Sequence, residues 1–217
     1  MSVWAIVLAA GSGSRFGGSI PKQYEALAGR RVIDWSIDAA RAAADGVVLV
    51  VGADRVQDAE PSVDVVVAGG AARSDSVRAG LAALPDDVDV VVVHDGARPL
   101  ASPALYAAAI AAIREGADGA IPGIEVTDTI KRVADGVVVE TPDRATLVAV
   151  QTPQAFSRDA LIAAHASGGE ATDDAALVEA GGGRVVVVPG ELTNFKITRR
   201  DDLERAEQIL NESPNVA

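Results

Sequence analysis

Cysteine is absent from the 217 residues, so a disulfide framework, thiolate catalysis and a thiolate metal site are excluded. Histidine is scarce, with only His94 and His165, which leaves little room for imidazole acid–base chemistry. Aromatic residues make up 3% of the chain against 49% apolar residues; any core must be built from Val, Ala, Leu and Ile. No apolar run approaches the ~18 residues that a membrane-spanning helix requires. The N-terminal apolar run lacks a basic flank and stops at a glycine-rich stretch, unlike a secretory leader. A basic excess is missing too. The net charge of −12 argues against non-specific binding to nucleic acid or an anionic membrane. These absences together lead to the expectation of a cytoplasmic protein. In so acidic a chain, Arg and Lys gathered beside glycine-rich loops point to a small anionic ligand.

The length suits one α/β domain over residues 1–217 with a full core. Continuous apolar runs at 3–8, 46–51, 63–67, 88–94, 117–122 and 184–188 read as strands buried on both faces. Helix-period segments separate them, which predicts a mostly parallel sheet with helices on both faces. Ile33, Ile37, Ala40 and Ala44 share one helical face, and Val77, Leu81 and Leu84 share another. Ser102-Pro103 is an N-cap with proline at the first helical position, opening a helix through Ile113. Further helices are expected at 157–166, 172–180 and 201–210. Residues 126–144 break the rhythm: they read as two strands around Ala134-Asp135-Gly136, whose Asp-Gly is a hairpin signal. That hairpin is either an edge of the sheet or an arm reaching a second subunit.

Polar chemistry concentrates in three loops that follow strand ends, where ligands of open α/β sheets bind. The first, residues 8–23 (LAAGSGSRFGGSIPKQ), combines small residues with Arg15 and Lys22. Small residues let backbone N–H groups approach a ligand, and the two cations suit a polyphosphate. Its spacing fits neither a dinucleotide-binding turn, since Phe16 stands at the third glycine position, nor a P-loop, since Gly-Lys-Ser/Thr is missing. The second loop, residues 68–76 (AGGAARSDS), carries Gly69, Gly70 and Arg73; the third, residues 94–99 (HDGARP), carries Asp95 and Arg98. A carboxylate at a strand end can hold Mg2+ against phosphate oxygens.

The strings AAGSGSRFGGSIPKQ, GGAARSDSV, VHDGARP, VTDTIK, QTPQAF, TDDAALVE and NFKIT occur in one order over nearly the whole chain. Together they resemble the 2-C-methyl-D-erythritol 4-phosphate cytidylyltransferase family. Ribitol 5-phosphate cytidylyltransferases share the scaffold and stay open as the alternative, as does a nucleotide-binding module without chemistry. The resemblance implies a single Rossmann-like domain with a projecting hairpin arm, working as a homodimer through that arm. It implies transfer of CMP from CTP to a polyol phosphate, with Mg2+ as cofactor. Ala9, Ala10, Gly11, Gly13, Gly70 and Ser76 are then expected to hold CTP, and Arg15, Lys22 and Lys196 to act in catalysis. Asp95 is the expected metal ligand. Arg98, Thr129, Arg144 and Thr152 are expected to bind the acceptor phosphate substrate. Two positions depart from the commoner pattern: Ala71 replaces an acidic residue after the glycine pair, and Gly96 replaces Ala.

Overall fold

Residues 46–51, GVVLVV, contain no polar side chain, and all six are buried. Such a run can only be an inner strand covered on both faces. The computed structural model describes residues 1–11, 13, 16, 17, 20–166, 168 and 171–212. Its strands are β1 (Ser2–Ala9), β2 (Ala26–Leu27), β3 (Arg30–Arg31), β4 (Gly46–Val51), β5 (Val65–Ala68) and β6 (Val88–Asp95). They continue with β7 (Gly119–Glu125), β8 (Arg132–Ala134), β9 (Val137–Glu140), β10 (Val148–Val150), β11 (Gln154–Ser157) and β12 (Val185–Pro189). The helices are α1 (Val32–Ala43), α2 (Arg73–Ala82), α3 (Pro103–Arg114), α4 (Arg158–Ala166), α5 (Asp174–Ala180) and α6 (Arg200–Glu212).

The main sheet has the order β5–β4–β1–β6–β11–β7–β12, with β10 also against β7. Strands β5, β4, β1 and β6 are parallel, as are β7 and β12; β10 and β11 run antiparallel to their neighbours. On one face, Ile33 and Ile37 of α1 and Leu105 and Ile110 of α3 pack on Val7, Leu49 and Val92. On the other, Val77 of α2, Leu161 of α4 and Val178 of α5 pack on Ile6, Val50 and Val91. A third cluster seats Ala206 and Leu210 of α6 on Leu27, Leu100 and Ile197. Each fully buried aliphatic side chain is worth about 1.5–3 kcal/mol, so aliphatics alone can hold an aromatic-poor fold.

The expected strands and helices all form, with ends shifted by a few residues. Ser102 caps α3 by accepting from Leu105 N at 3.3 Å, with Pro103 in the first turn. Asp173 caps α5 by accepting from Ala176 N at 3.1 Å. The 126–144 region is less regular than expected, because only 132–134 and 137–140 pair. Asp135 (φ 49°) and Gly136 (φ 78°) both take positive φ, the backbone of a two-residue type I′ hairpin turn. Every residue from 127 to 141 is exposed.

The sequence pattern missed β10 and β11. Gln151, Thr152 and Pro153 interrupt that run, and proline lacks the N–H of an inner strand. In the fold the two short strands flank this break, which includes a cis Thr152–Pro153 peptide bond. Both run antiparallel to β7, and β11 also pairs with β6.

Candidate active site

Strands β1, β5 and β6 end at Ala9, Ala68 and Asp95 on the same edge of the sheet, so their three loops meet. Between them lies a cavity of about 500 Å3, lined by Ala9, Ala10, Gly11, Gly13, Lys22, Gly70, Ser76, Asp95 and Lys196 among others. All six residues expected to hold CTP are there, with Lys22, Lys196 and Asp95. Arg15 lies outside the described residues.

Side chains set the shape of the first loop. Gln23 is buried, and its Nε2 donates to Ala9 O at 2.5 Å and Gly11 O at 2.9 Å. One amide thus clasps both sides of the turn leaving β1. Gly13 has φ 65°, and a Cβ there would meet Lys22 Cγ and N at 3.4 Å. Lys22 Nζ donates to Ile197 O at 2.5 Å, joining this loop to the segment before α6. In the second loop a Cβ on Gly70 would sit 2.2 Å from Asp75 Cβ; only glycine fits. Its N–H donates to Ser76 Oγ at 3.2 Å.

Asp95 is the electrostatic centre. Lys196 Nζ donates to its Oδ2 at 2.7 Å. Arg73 Nε stands 3.7 Å from Oδ1, and Arg98 Nε 3.9 Å from Oδ2. Burial alone would push this carboxyl up, but Lys196, then Arg73 and Arg98, hold it well below the usual carboxylate range. It is a carboxylate at any working pH. Arg98 donates from Nη1 to Asn194 O at 2.7 Å, which fastens the 194–198 segment beside Asp95.

Thr152 and His94 brace the same strand end. His94 Nε2 lies 3.1 Å from Arg98 O, a carbonyl that only accepts, so Nε2 carries the proton. Nδ1 then accepts from the Thr152 hydroxyl at 3.1 Å, and Thr152 Oγ1 accepts from Asp95 N at 3.0 Å. Burial lowers the His94 pKa to about 4, which keeps the ring neutral. The Thr152 hydroxyl therefore fixes the backbone of Asp95.

A second cavity of about 350 Å3 adjoins the first. Arg98, Gln151, Thr152, Gln154, Thr172 and Asp173 line it, together with Arg73, Asp95 and Lys196. Of the expected acceptor residues, Arg98 and Thr152 are here. Thr129 and Arg144 are not: both are exposed, and Arg144 Nη1 donates to Thr127 O at the base of the arm. Gln23 and Thr198 line the first cavity without having been singled out. Their signal was adjacency, Gln23 beside Lys22 and Thr198 two residues from Lys196.

The comparisons with known proteins give the family. The family model described as IspD, 2-C-methyl-D-erythritol 4-phosphate cytidylyltransferase, matches residues 3–212. A relative called 2-C-methyl-D-erythritol 4-phosphate cytidylyltransferase in Frankia casuarinae is 48% identical over 215 residues, covering 96% of this chain and 81% of that protein. A protein called bifunctional enzyme IspD/IspF in Clavibacter michiganensis is 46% identical over 219 residues, covering 94% of this chain and 53% of its own length. The chain thus spans about half the length of the bifunctional relatives it matches. Among solved structures, 2-C-methyl-D-erythritol 4-phosphate cytidylyltransferase from Thermus thermophilus superposes with a TM-score of 0.79. It is 34% identical and covers 95% of this chain and 98% of that one.

Proposed function

We propose, from the premise that this chain belongs to the 2-C-methyl-D-erythritol 4-phosphate cytidylyltransferase family, that it transfers CMP from CTP to 2-C-methyl-D-erythritol 4-phosphate. Pyrophosphate leaves, and the product is 4-diphosphocytidyl-2-C-methyl-D-erythritol, a precursor in non-mevalonate isoprenoid synthesis. Residues 1–217 act as one nucleotidylyltransferase domain. The observation that carries the reading is the convergence of two glycine loops, Lys22, Lys196 and Asp95 on one cavity in a chain of net charge −12.

The acceptor's phosphate oxygen attacks the α-phosphorus of CTP. A phosphomonoester has a second pKa of about 6, so this oxygen is already charged at neutral pH. It needs no general base, and His94 could not serve as one, since both its ring nitrogens are engaged in the interior. The remaining barrier is electrostatic: two anions must meet, and fixed cations must neutralise the crowded α-phosphate. In this reading Lys22 faces the triphosphate, and Arg15 shares the catalytic role expected of it. Lys196, held at 2.7 Å by Asp95, faces the reacting phosphates, and Arg98 and Thr152 border the acceptor.

Asp95 is the metal ligand in this scheme. Among the described residues no cluster of three or more acidic or histidine side chains forms. Mg2+ commonly takes one or two carboxylates and completes its shell with water and substrate phosphates; a lone carboxylate at a strand end fits a metal that arrives with the nucleotide. When bound, the ion supplies positive charge to the phosphates.

The arm belongs to the same proposal. Thr129 and Arg144 bind the acceptor phosphate in the site of a second copy, so the active form is a homodimer. What supports this is four exposed valines on the hairpin, Val137 and Val139 on one face and Val133 beside Val138 on the other, since exposed apolar surface marks contact sites. A cytoplasmic setting completes the proposal and rests on composition alone.

Pyrophosphate release from CTP and Mg2+ tests the reaction, with methylerythritol phosphate, ribitol 5-phosphate or no acceptor. Release with methylerythritol phosphate alone is expected. Preference for ribitol phosphate would reject the acceptor, and no release with either would reject the reaction.

A further inference from the structure

We infer that Arg73 is a further substrate-facing residue, a fixed cation where the two reacting phosphates meet, and that the buried pair Asp174 and His165 holds it there. The inference rests on the transfer reaction proposed above and adds a residue to it.

Arg73, Asp95 and Lys196 line both cavities, so these three side chains form the partition between nucleotide and acceptor. Asp95 is an anion and repels phosphate. Lys196 answers it at 2.7 Å. Arg73 is the other cation of the partition, 3.7 Å from Asp95 Oδ1. It is also the first residue of α2, where the helix N-terminus adds potential of the same sign.

The position of Arg73 is built from the interior outward. Its Nη1 donates to Asp174 Oδ2 at 2.6 Å. Asp174 is 1% exposed, and a buried carboxylate must be answered on all sides. The answer on its other oxygen is His165, whose Nε2 donates to Oδ1 at 2.9 Å. His165 is buried at the end of α4, and Asp174 opens α5. The chain therefore runs from the packed face of the sheet through His165, Asp174 and Arg73 to the partition. Burial alone would pull the Arg73 pKa down, but Asp174 and then Asp95 raise it, so the charge is kept.

The residue type is part of the inference. A guanidinium carries five N–H donors in a rigid planar fork. One edge can stay on Asp174 while another donor meets a phosphate oxygen. An ammonium at this place is a single point charge on a flexible stem, and it would have to leave one partner for the other.

The test is steady-state kinetics of wild type, Arg73→Lys, Arg73→Ala and Asp174→Asn, with a thermal melt of each. Arg73→Ala should lower kcat by ~10²-fold, as for loss of one transition-state donor, with little change in KM for CTP. Arg73→Lys keeps a charge for Asp174 and should melt like wild type, yet recover only part of kcat. Asp174→Asn should lower kcat less than Arg73→Ala does. A drop in melting temperature with kcat unchanged in Arg73→Ala, or wild-type kcat and KM in Arg73→Lys, would overturn the role. These outcomes are separate from failure of the parent reading. A wild type active only with another acceptor rejects methylerythritol phosphate, and the variants are then scored on that acceptor. A wild type inactive with every acceptor removes the reaction and Arg73's role together.

Discussion

Around Asp95, charged side chains are partly buried and find partners within the chain; along β8 and β9, apolar side chains stand in solvent with nothing over them among the described residues. At the sheet edge, Lys196, Arg73 and Arg98 surround one carboxylate, and the Thr152 hydroxyl, bonded to His94, accepts from the Asp95 backbone N–H beneath it. On the arm, Val137 is 64% and Val133 53% exposed, while the polar residues pair only among themselves, Arg132 with Glu140 and Lys131 with Thr141. The contrast separates two kinds of surface. The cavity holds cations at fixed points around a carboxylate, an arrangement suited to small anions. The arm presents exposed valines, which suit contact with apolar surface.

The largest expected effect breaks the cavity side. Lys22→Ala should lower kcat by ~10²-fold or more, as for removal of one key transition-state contact. Steady-state kinetics in both substrates decides it. A rise in KM alone would make Lys22 a binding residue and reject its role at the reacting phosphates.

Next comes the arm side. Val137→Lys combined with Val139→Glu places opposite charges two residues apart on one face of β9. Exposed positions of this kind change stability by only about 0.5 kcal/mol either way, so the fold should persist. Sedimentation at assay concentration should then shift from dimer towards monomer, with activity falling in step. A fully active wild-type monomer would sink the shared-site reading, whatever the double variant does.

The smallest effect sharpens the comparison from beneath. Burial lowers the folded-state pKa of His94 from 6.5 to about 4. The unfolded chain takes up this proton as pH falls below 6.5, while the folded chain does not until about 4. Stability is therefore lost on acidification through that window, by at most about 1.4 kcal/mol per pH unit. Urea midpoints at pH 7 and pH 5 should diverge more for wild type than for His94→Gln. An equal fall in both would show that His94 is not held neutral by burial.

Much of this was legible before any coordinates. Residues 46–51 could be nothing but an inner strand, since six apolar residues without alternation must be covered twice. Asp135-Gly136 announced the turn it makes, because few residues tolerate positive φ. Gly70 and Ser76 were expected beside the nucleotide from the family resemblance, and both line the first cavity. By contrast, β10 and β11 hid behind Pro153, whose local preference is against an inner strand, and only pairing with β6 and β7 overrode it. Arg73 was visible in its loop, but nothing near it in sequence suggested a buried anchor.

The sequence by itself therefore determined most of the elements, the three polar glycine-rich loops and the family. Each of these depends on neighbours a few residues away or on the order of short strings. Tertiary structure alone decided which charges meet. Lys196 and Asp95 are 101 residues apart in the chain, as are Arg73 and Asp174, and His94 and Thr152 are 58 apart. No local propensity encodes such pairs. They exist because packing brings β1, β5 and β6 to one edge and lays the 194–198 segment across it, where an unpaired buried charge would cost too much to keep.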